Sequence, residues 1–275
     1  MSEFWRRYKK SPSAVIGLFL ISIFILIVIF GPNVAPYSPS AFKSPAFNPP
    51  DSQNLMGTDD LGRDIFSRVL YGARVSLIIG FLSALLSTLV GVIVGSFSGY
   101  YGGRIDDLLT RLTEFFQVLP KFFLALIIVA LFGSGIVNVV LVIAVLSWPS
   151  TARLVRAEFL YLKELEFIEA ARSIGAGSLS IMFNEILPNA IHVAIVNMSM
   201  QAASSILIEA GLSFLGLSDP NVISWGYMLR NAQDFYTYAW WMAIFPGFAI
   251  FLTVLSFNLI GEGLNDALNP MLKEK

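Results

Sequence analysis

The stretch VSLIIGFLSALLSTLVGVIVGSFSGYYGG, Val75–Gly103, contains no charged residue. A helix rises 1.5 Å per residue, so roughly 20 apolar residues cross the hydrocarbon core of a bilayer, and this run is long enough to do so. Four more uncharged runs have the same property: Ser11–Phe42, Phe122–Ala152, Ile186–Ile208 and Phe235–Gly261. Between them the charges gather in short clusters. The 275 residues are 56% hydrophobic, with a mean hydropathy of +0.71, more apolar than a surface facing water requires. The reading is an all-α integral membrane protein.

Six spans fit, at 13–31, 75–99, 106–133, 136–156, 189–215 and 239–262. The third and fourth form a hairpin at Gly133-Ser134-Gly135, where glycine permits the reversal. The first run follows Arg6, Arg7, Lys9 and Lys10. It is longer than a signal-peptide core and lacks a small-x-small cleavage site, so it is read as an uncleaved span. Placing both termini in the cytoplasm leaves thirteen Lys and Arg residues inside and only Lys43, Arg63, Arg68, Arg74 and Arg230 outside, as the basic-residue bias requires.

Two segments then face outward. Pro32–Pro50 reads as extended loop. In Asp60–Gly72, Leu61, Ile65, Phe66, Val69 and Leu70 share a helical face, with Arg63, Asp64 and Arg68 elsewhere, which predicts an amphipathic helix on the outer membrane surface. The other segment, Gly216–Tyr238, ends in the aromatics Phe235, Tyr236, Tyr238, Trp240 and Trp241, read as an interfacial belt. The domain organisation expected is an N-terminal span, loop and surface helix over 1–74, then a transmembrane domain over 75–275.

That domain contains the longest cytoplasmic stretch, Arg153–Pro188. Leu165, Ile168, Ala171 and Ile174 recur every three residues; Leu179, Met182, Phe183 and Ile186 follow at i, i+3, i+4 and i+7. Gly175 and Gly177 separate the two patterns, Ser178 is the expected N-cap, and Pro188 is expected to interrupt the helix before span five. A helix, a glycine turn and a short helix would make a knob that fits a partner's groove, with Ala170, Ala171 and Gly175 permitting close approach.

Glu169-Ala170-Ala171, then Gly175, then Leu187-Pro188 resemble the EAA signature of ABC importer permeases. In that family the segment docks on the cytoplasmic ATPase, so the resemblance implies an ATPase-coupling role for Glu169, Ala170, Ala171, Arg172, Gly175, Leu187 and Pro188. The consensus has isoleucine where this chain has Glu185, with Ile186 one place later; the role of Glu185 stays open. A second set, Gly57-Thr58-Asp59-Asp60-Leu61-Gly62-Arg63-Asp64 with Ser67-Arg68, resembles the motif before span two of the dipeptide/oligopeptide/nickel permeases. So does the C-terminal run from Phe245-Pro246-Gly247 to Asn269-Pro270. The outer motif is read either as a capped helix packed on span two or as a contact for arriving substrate.

The resemblance implies a type I ABC importer transmembrane fold. It also implies a C-type subunit paired with a homologous permease, two cytoplasmic ATPases and an extracytoplasmic binding protein, in the plasma membrane of a prokaryote. Its cargo would be dipeptides or oligopeptides, alternatively nickel complexes or oligosaccharides. No lysine follows a glycine, so the chain lacks a phosphate-binding loop; ATP and Mg would be bound by the partner ATPases and no cofactor by this chain. One histidine, no cysteine and scattered carboxylates give no catalytic cluster or transition-metal set. Nothing in the charge pattern indicates nucleic acid. A secondary transporter would show charges at mid-bilayer and inverted repeats; only Glu209 fits, and no repeat is visible.

Small residues recur at every fourth place from Ser83 to Gly99, a seam for close helix contact or for lining a pathway. Glu209, inside an apolar run near the outer end of span five, costs about 2.5–3.5 kcal/mol on insertion scales unless paired. It is read as a gate residue held by hydrogen bonds or as a contact with the translocated ligand. His192 is read as a packing or interface residue rather than a proton relay. Asp106, Asp107, Arg111 and Glu114 are read as interface residues, with Asp107 and Arg111 a helical pair.

Overall fold

A computed structural model describes residues 5–6, 8–9, 11–217 and 219–268. Arg7, Lys10, Lys273, Lys275 and the Asn269-Pro270 end of the C-terminal motif lie outside the described residues. The described chain is helical: α1 Pro12–Val34, α2 Ile65–Tyr101, α3 Gly103–Val118, α4 Lys121–Phe132, α5 Ile136–Leu162, α6 Glu166–Ser173, α7 Ser178–Phe214, α8 Trp225–Ala232 and α9 Trp241–Leu268. Five of these helices are long and apolar enough to cross a membrane, and a sixth span results if α3 and α4 count as one.

The bundle is organised around α2. Its small-residue seam faces α5: a Cβ added at Gly91 would sit 2.5 Å from Thr151 Cβ, at Gly95 2.5 Å from the Ala152 carbonyl oxygen, and at Gly99 2.5 Å from Phe159 Cβ. Without side chains at these points the two backbones touch along several turns. In lipid, where apolar contact with a neighbouring helix replaces apolar contact with acyl chains, such close van der Waals packing is a main source of association. The pathway-lining alternative is thereby unnecessary for these glycines, because α5 fills the space. A polar clamp adds to the seam. Ser87 donates to Gln201 Oε1 (2.9 Å), and Gln201 Nε2 and Asn197 Nδ2 both donate to Thr151 Oγ1 (2.8 Å each), tying α2, α5 and α7 together. The first helix lies outside this core and leans on α9, where Gly17 meets Leu259 and Gly263 meets Ala14.

Two expectations change. The surface helix over 60–72 does not exist separately: α2 begins at Ile65 with Asp64 as N-cap and runs unbroken through position 74. Ile65, Val69 and Leu70 are buried, but so is Arg68, so the segment packs into the bundle on more than one face. The third span is broken. Leu119 precedes a proline, which forces it into extended backbone (φ −77°, ψ 132°), and α3 and α4 meet at 84°. The segment 216–238 contains the short helix α8, capped by Ser224, whose Trp225 indole donates to the Val69 carbonyl (3.0 Å). The glycine hairpin between α4 and α5 forms as expected, with Gly133 as C-cap.

The contact geometry predicts that Gly95→Val lowers the thermal midpoint of the detergent-purified protein, through about 1–3 kcal/mol of overpacking against backbone that cannot move aside. Gly135→Ala, at a glycine with open space around it, leaves the midpoint unchanged.

Candidate coupling surface and loop latch

The two motif regions lie at opposite ends of the bundle. At one end, α5 continues past the end of α2, and Lys163 Nζ donates to the Gly99 carbonyl (3.1 Å). Phe159, Leu162, Ile168, Ile181, Met182 and Ile186 then form a buried cluster that anchors α6 to the spans. Ile168 is the pin, fully buried on a helix of eight residues.

The exit from α6 explains the spacing of the motif. Gly175 takes φ +84°, its N–H donates to the Arg172 carbonyl (3.0 Å), and the Ala176 N–H reaches back to the Ala171 carbonyl (3.1 Å). This is the paired-bond helix stop that needs a left-handed residue one place past the C-cap. Glycine four residues after Ala171 is thus a backbone requirement. A Cβ there would meet nothing within 4 Å, so the surface around Gly175 is open. Glu169, Ala170 and Arg172 are exposed beside it, with Phe167, Ile174 and Leu179; Ile174 is 86% exposed. Of the expected periodic faces, Ile168, Met182 and Ile186 point inward, while Ile174 and Leu179 point outward.

Gly177, not Ser178, is the N-cap of the next segment. Pro188 does not interrupt it. Helix continues from Ser178 to Phe214 because residues Ile181–Ile186 widen into a π turn, in which the Leu187 N–H bonds to the Met182 carbonyl. A wider turn leaves room for the proline ring, which would otherwise press on the carbonyl four residues back. The same extra residue accounts for Glu185. It lies exposed on the turn, while Ile186 fills the buried position and the Glu185 carbonyl accepts from Asn189 Nδ2 (2.7 Å). His192 Nδ1 donates to the Asn189 carbonyl (2.8 Å) on the half-buried flank.

Beside this end, Asp106 rather than Asp107 takes the ion pair. Its partner is Arg156 on α5, in a two-point contact: Nε and Nη2 each lie 2.6 Å from a carboxylate oxygen. Ser98 and Thr110 also donate to Asp106. Asp106 therefore ties α3 to α5 and α2, and α6 is held elsewhere.

At the other end, the outer motif is consumed by internal bonds. Thr58 exchanges backbone and side-chain bonds with Asn48 and donates to the Pro45 carbonyl (2.7 Å). Asp59 is buried, accepts from the Leu61 and Arg63 amides (3.0 and 2.9 Å), pairs with Arg63 Nε at 2.5 Å and lies 3.7 Å from Arg68 Nε. Asp64 caps α2 through the Ser67 amide and hydroxyl (2.8 and 2.7 Å) and accepts from Asn54. Gly57 and Gly62 supply the two positive-φ turns of this loop. Arg68 reaches the Pro39 carbonyl (3.0 Å), and Trp241 donates to the Thr58 carbonyl (2.9 Å). Trp241 is therefore a buried anchor, while Tyr236, Tyr238 and Trp240 stay exposed as a belt would. Upstream, Asp51 closes a turn; the Asn54 amide, with the Asn48 side chain and the Gln53 amide, holds its carboxyl below the usual carboxylate value. This geometry is that of the packed, capped alternative: Asp59, Asp64, Ser67 and Arg68 are buried and bonded within the chain.

Glu209 is buried where α7 approaches the loop end. Its Oε1 accepts from Ser213 (2.7 Å), and Oε2 has no hydrogen-bond partner. It faces a small cavity lined also by Ser224 and Asp219. Ser213 is one helical turn from Glu209 on the same helix, whereas Ser224, brought in by α8, had no visible signal in the sequence.

Comparison with known proteins agrees with this architecture. Residues 91–274 match the family described as binding-protein-dependent transport system inner membrane component, and residues 1–56 match the N-terminal transmembrane domain of oligopeptide transport permease C. The glutathione transport system permease protein GsiD of Pectobacterium atrosepticum is 43% identical over 274 residues, 98% of this chain and 91% of that protein. GsiD of Escherichia coli is also 43% identical, over 98% of this chain and 90% of that protein. Among solved structures, a chain of the inward-facing MetNI methionine ABC transporter superposes with a TM-score of 0.58 at 18% identity, covering 74% of this chain and 96% of that one; this is a likeness of fold. With the family matched over most of the chain and relatives similar along nearly all of it, the protein belongs to the peptide-type ABC importer permeases, the multi-pass inner-membrane components of binding-protein-dependent transport systems.

Proposed function

We propose that this permease forms a translocation pathway with a homologous permease, is driven by two cytoplasmic ATPases, and imports small peptides handed over by an extracytoplasmic binding protein. The relatives named for glutathione transport support a short peptide as cargo. In this reading the α6 end and both termini face the cytoplasm, and the Gly57–Arg68 loop faces outward. ATP and Mg belong to the partner ATPases.

The observation that carries the reading is the form of the α6 knob. It is rigidly rooted by Ile168 and the cluster around Phe159, yet presents Phe167, Ala170, Ile174 and Leu179 unburied around an open glycine turn. An apolar tip on a fixed base suits a helix seated in a groove of a partner. Because the base is packed against α2, α5 and α7, a displacement of the tip reaches the spans directly. When the ATPases close on ATP, the knob would be carried with them and the bundle would turn toward the outward-open state.

The knob separates two kinds of variant. Gly175→Asn retains ATPase co-purification and uptake, because asparagine tolerates the left-handed region. Gly175→Arg adds a long charged side chain at the tip and about 1–2 kcal/mol of strain, and releases the ATPases on a pull-down from gentle detergent. ATPases still bound to the Gly175→Arg complex, with normal uptake, would overturn the docking role.

For Glu209 the hydroxyl contact supports a structural part near the outer gate. Glu209→Gln keeps an oxygen for Ser213 and retains uptake per molecule of protein within a few-fold. Glu209→Ala strands the Ser213 hydroxyl and lowers the thermal midpoint by the equivalent of about 1–3 kcal/mol. Uptake abolished in Glu209→Gln at normal abundance would instead assign it to the ligand.

A further inference from the structure

Near the loop end of α7, one small cavity of about 20 Å³ is lined by Glu209, Ser213, Asp219, Ser224 and Ser134, with apolar residues of α2 and α5 making up much of the rest. Glu209 decides its chemistry. The residue is 3% exposed; Ser213 donates to Oε1 (2.7 Å), and Oε2 is buried without a partner. Ser76 and Ser224 stand beside the carboxylate. Their hydroxyl oxygens accept from the Trp225 and Tyr227 amides (3.2 Å each), and neither closes a hydrogen bond on Oε2. Asp219, half-buried in the loop after α7, brings a second carboxylate to the wall, and its Oδ1 accepts from the Asn221 amide (2.9 Å). Among the described residues no Lys, Arg or His lines this cavity. Arg230 lies against Gly216 close by, yet forms no ion pair with either acid.

A buried carboxylate with no counter-charge is strongly unfavourable, so something must answer both the unused oxygen and the charge. The volume admits one water-sized occupant. Water would donate to Oε2 but brings no charge. A proton on Glu209 would neutralise one acid and leave the space beside it unfilled. One cation does both. The donors are all oxygen, which selects a hard cation over zinc or copper. Magnesium keeps several of its waters, and the cavity has no room for them; calcium accepts roughly six to eight oxygens in irregular geometry. Its two charges match the two carboxylates.

We infer that this cavity is a calcium site. Glu209 and Asp219 supply the charge, and Ser134, Ser213 and Ser224 supply neutral oxygens. The ion fastens the loop before α8 to α7 and to the hairpin between α4 and α5, so its role is to hold this end of the bundle together. Neither cargo nor ATPase enters the argument, and the site stands apart from the importer reading. Only the expected affinity uses the orientation proposed above: calcium sites of extracellular modules work at a Kd of about 10⁻⁴–10⁻³ M.

The test uses the full chain in gentle detergent, stripped with EGTA, and follows its thermal midpoint as calcium is returned at constant ionic strength. The midpoint is expected to rise by a few degrees and to saturate at millimolar calcium, as a ligand that binds only the folded state requires. Magnesium and sodium do not reproduce the rise. Glu209→Gln and Asp219→Asn each shift the calcium titration about tenfold or more to higher concentration, because affinity follows the charge of the ligands. Asparagine at 219 keeps an oxygen for the Asn221 amide, so the loop still folds. Asp234→Asn, at an exposed acid outside the cavity wall, titrates like wild type. No rise in wild type would overturn the site and leave the cavity to a water or a proton. So would an equal rise with magnesium or sodium, or a calcium titration unchanged in Glu209→Gln or in Asp219→Asn.

Discussion

The close contact of α2 with α5 is the constraint on which the rest of the structure depends. A seam without side chains lets the two backbones meet at Gly91, Gly95 and Gly99, and in lipid that contact has no cheap substitute. A soluble bundle can lose one glycine contact and still be driven together by water. Here the competing solvent is as apolar as the side chains, so packing and interhelical polar contacts such as Thr151 to Gln201 hold the pair. Once α2 and α5 are in register, the end of α5 projects beyond α2, and Phe159 meets Gly99. That overhang is the base on which α6 is built.

The charged residues divide according to what the seam leaves accessible. At the loop end, Asp59, Asp64 and Arg68 are buried and spend their bonding capacity on loop backbone and on one another. Burial of such groups is tolerable because nearly all of their polar atoms are paired within the loop. This makes the outer motif a latch that fixes the first residues of α2 and the start of α9. At the other end, Asp106 neutralises Arg156, while Glu114 and Arg153 are exposed. The same residue types thus close a loop at one end and stay exposed at the other.

Much of this was legible in the sequence because membrane helices are written in one dimension. Length and apolarity fix a span before any tertiary contact exists, so all six spans fell near the observed helices. The glycine at 175 was also legible, since a helix stop is a local backbone event: Ala171, Arg172, Gly175 and Ala176 settle it among themselves. The break in the third span had its signal in Pro120, which was overridden by the apolarity of the whole run. The missed features share a cause. Helix α8, the burial of Trp241 and the serines near Glu209 depend on residues more than a hundred positions apart in some cases, such as Ser76 with Trp225.

Residue order alone therefore determined that the chain crosses a membrane, where its turns lie and which family it resembles, because desolvation and backbone geometry act residue by residue. Only the tertiary structure decided which charges are spent and which are free. Arg68 and Arg153 look alike in sequence, each beside an apolar helix. One is enclosed by Asp59 and the Pro39 carbonyl, the other is left facing an open cavity. The difference lies in what distant segments bring within about 4 Å, the range over which an ion pair forms and a buried charge is made tolerable.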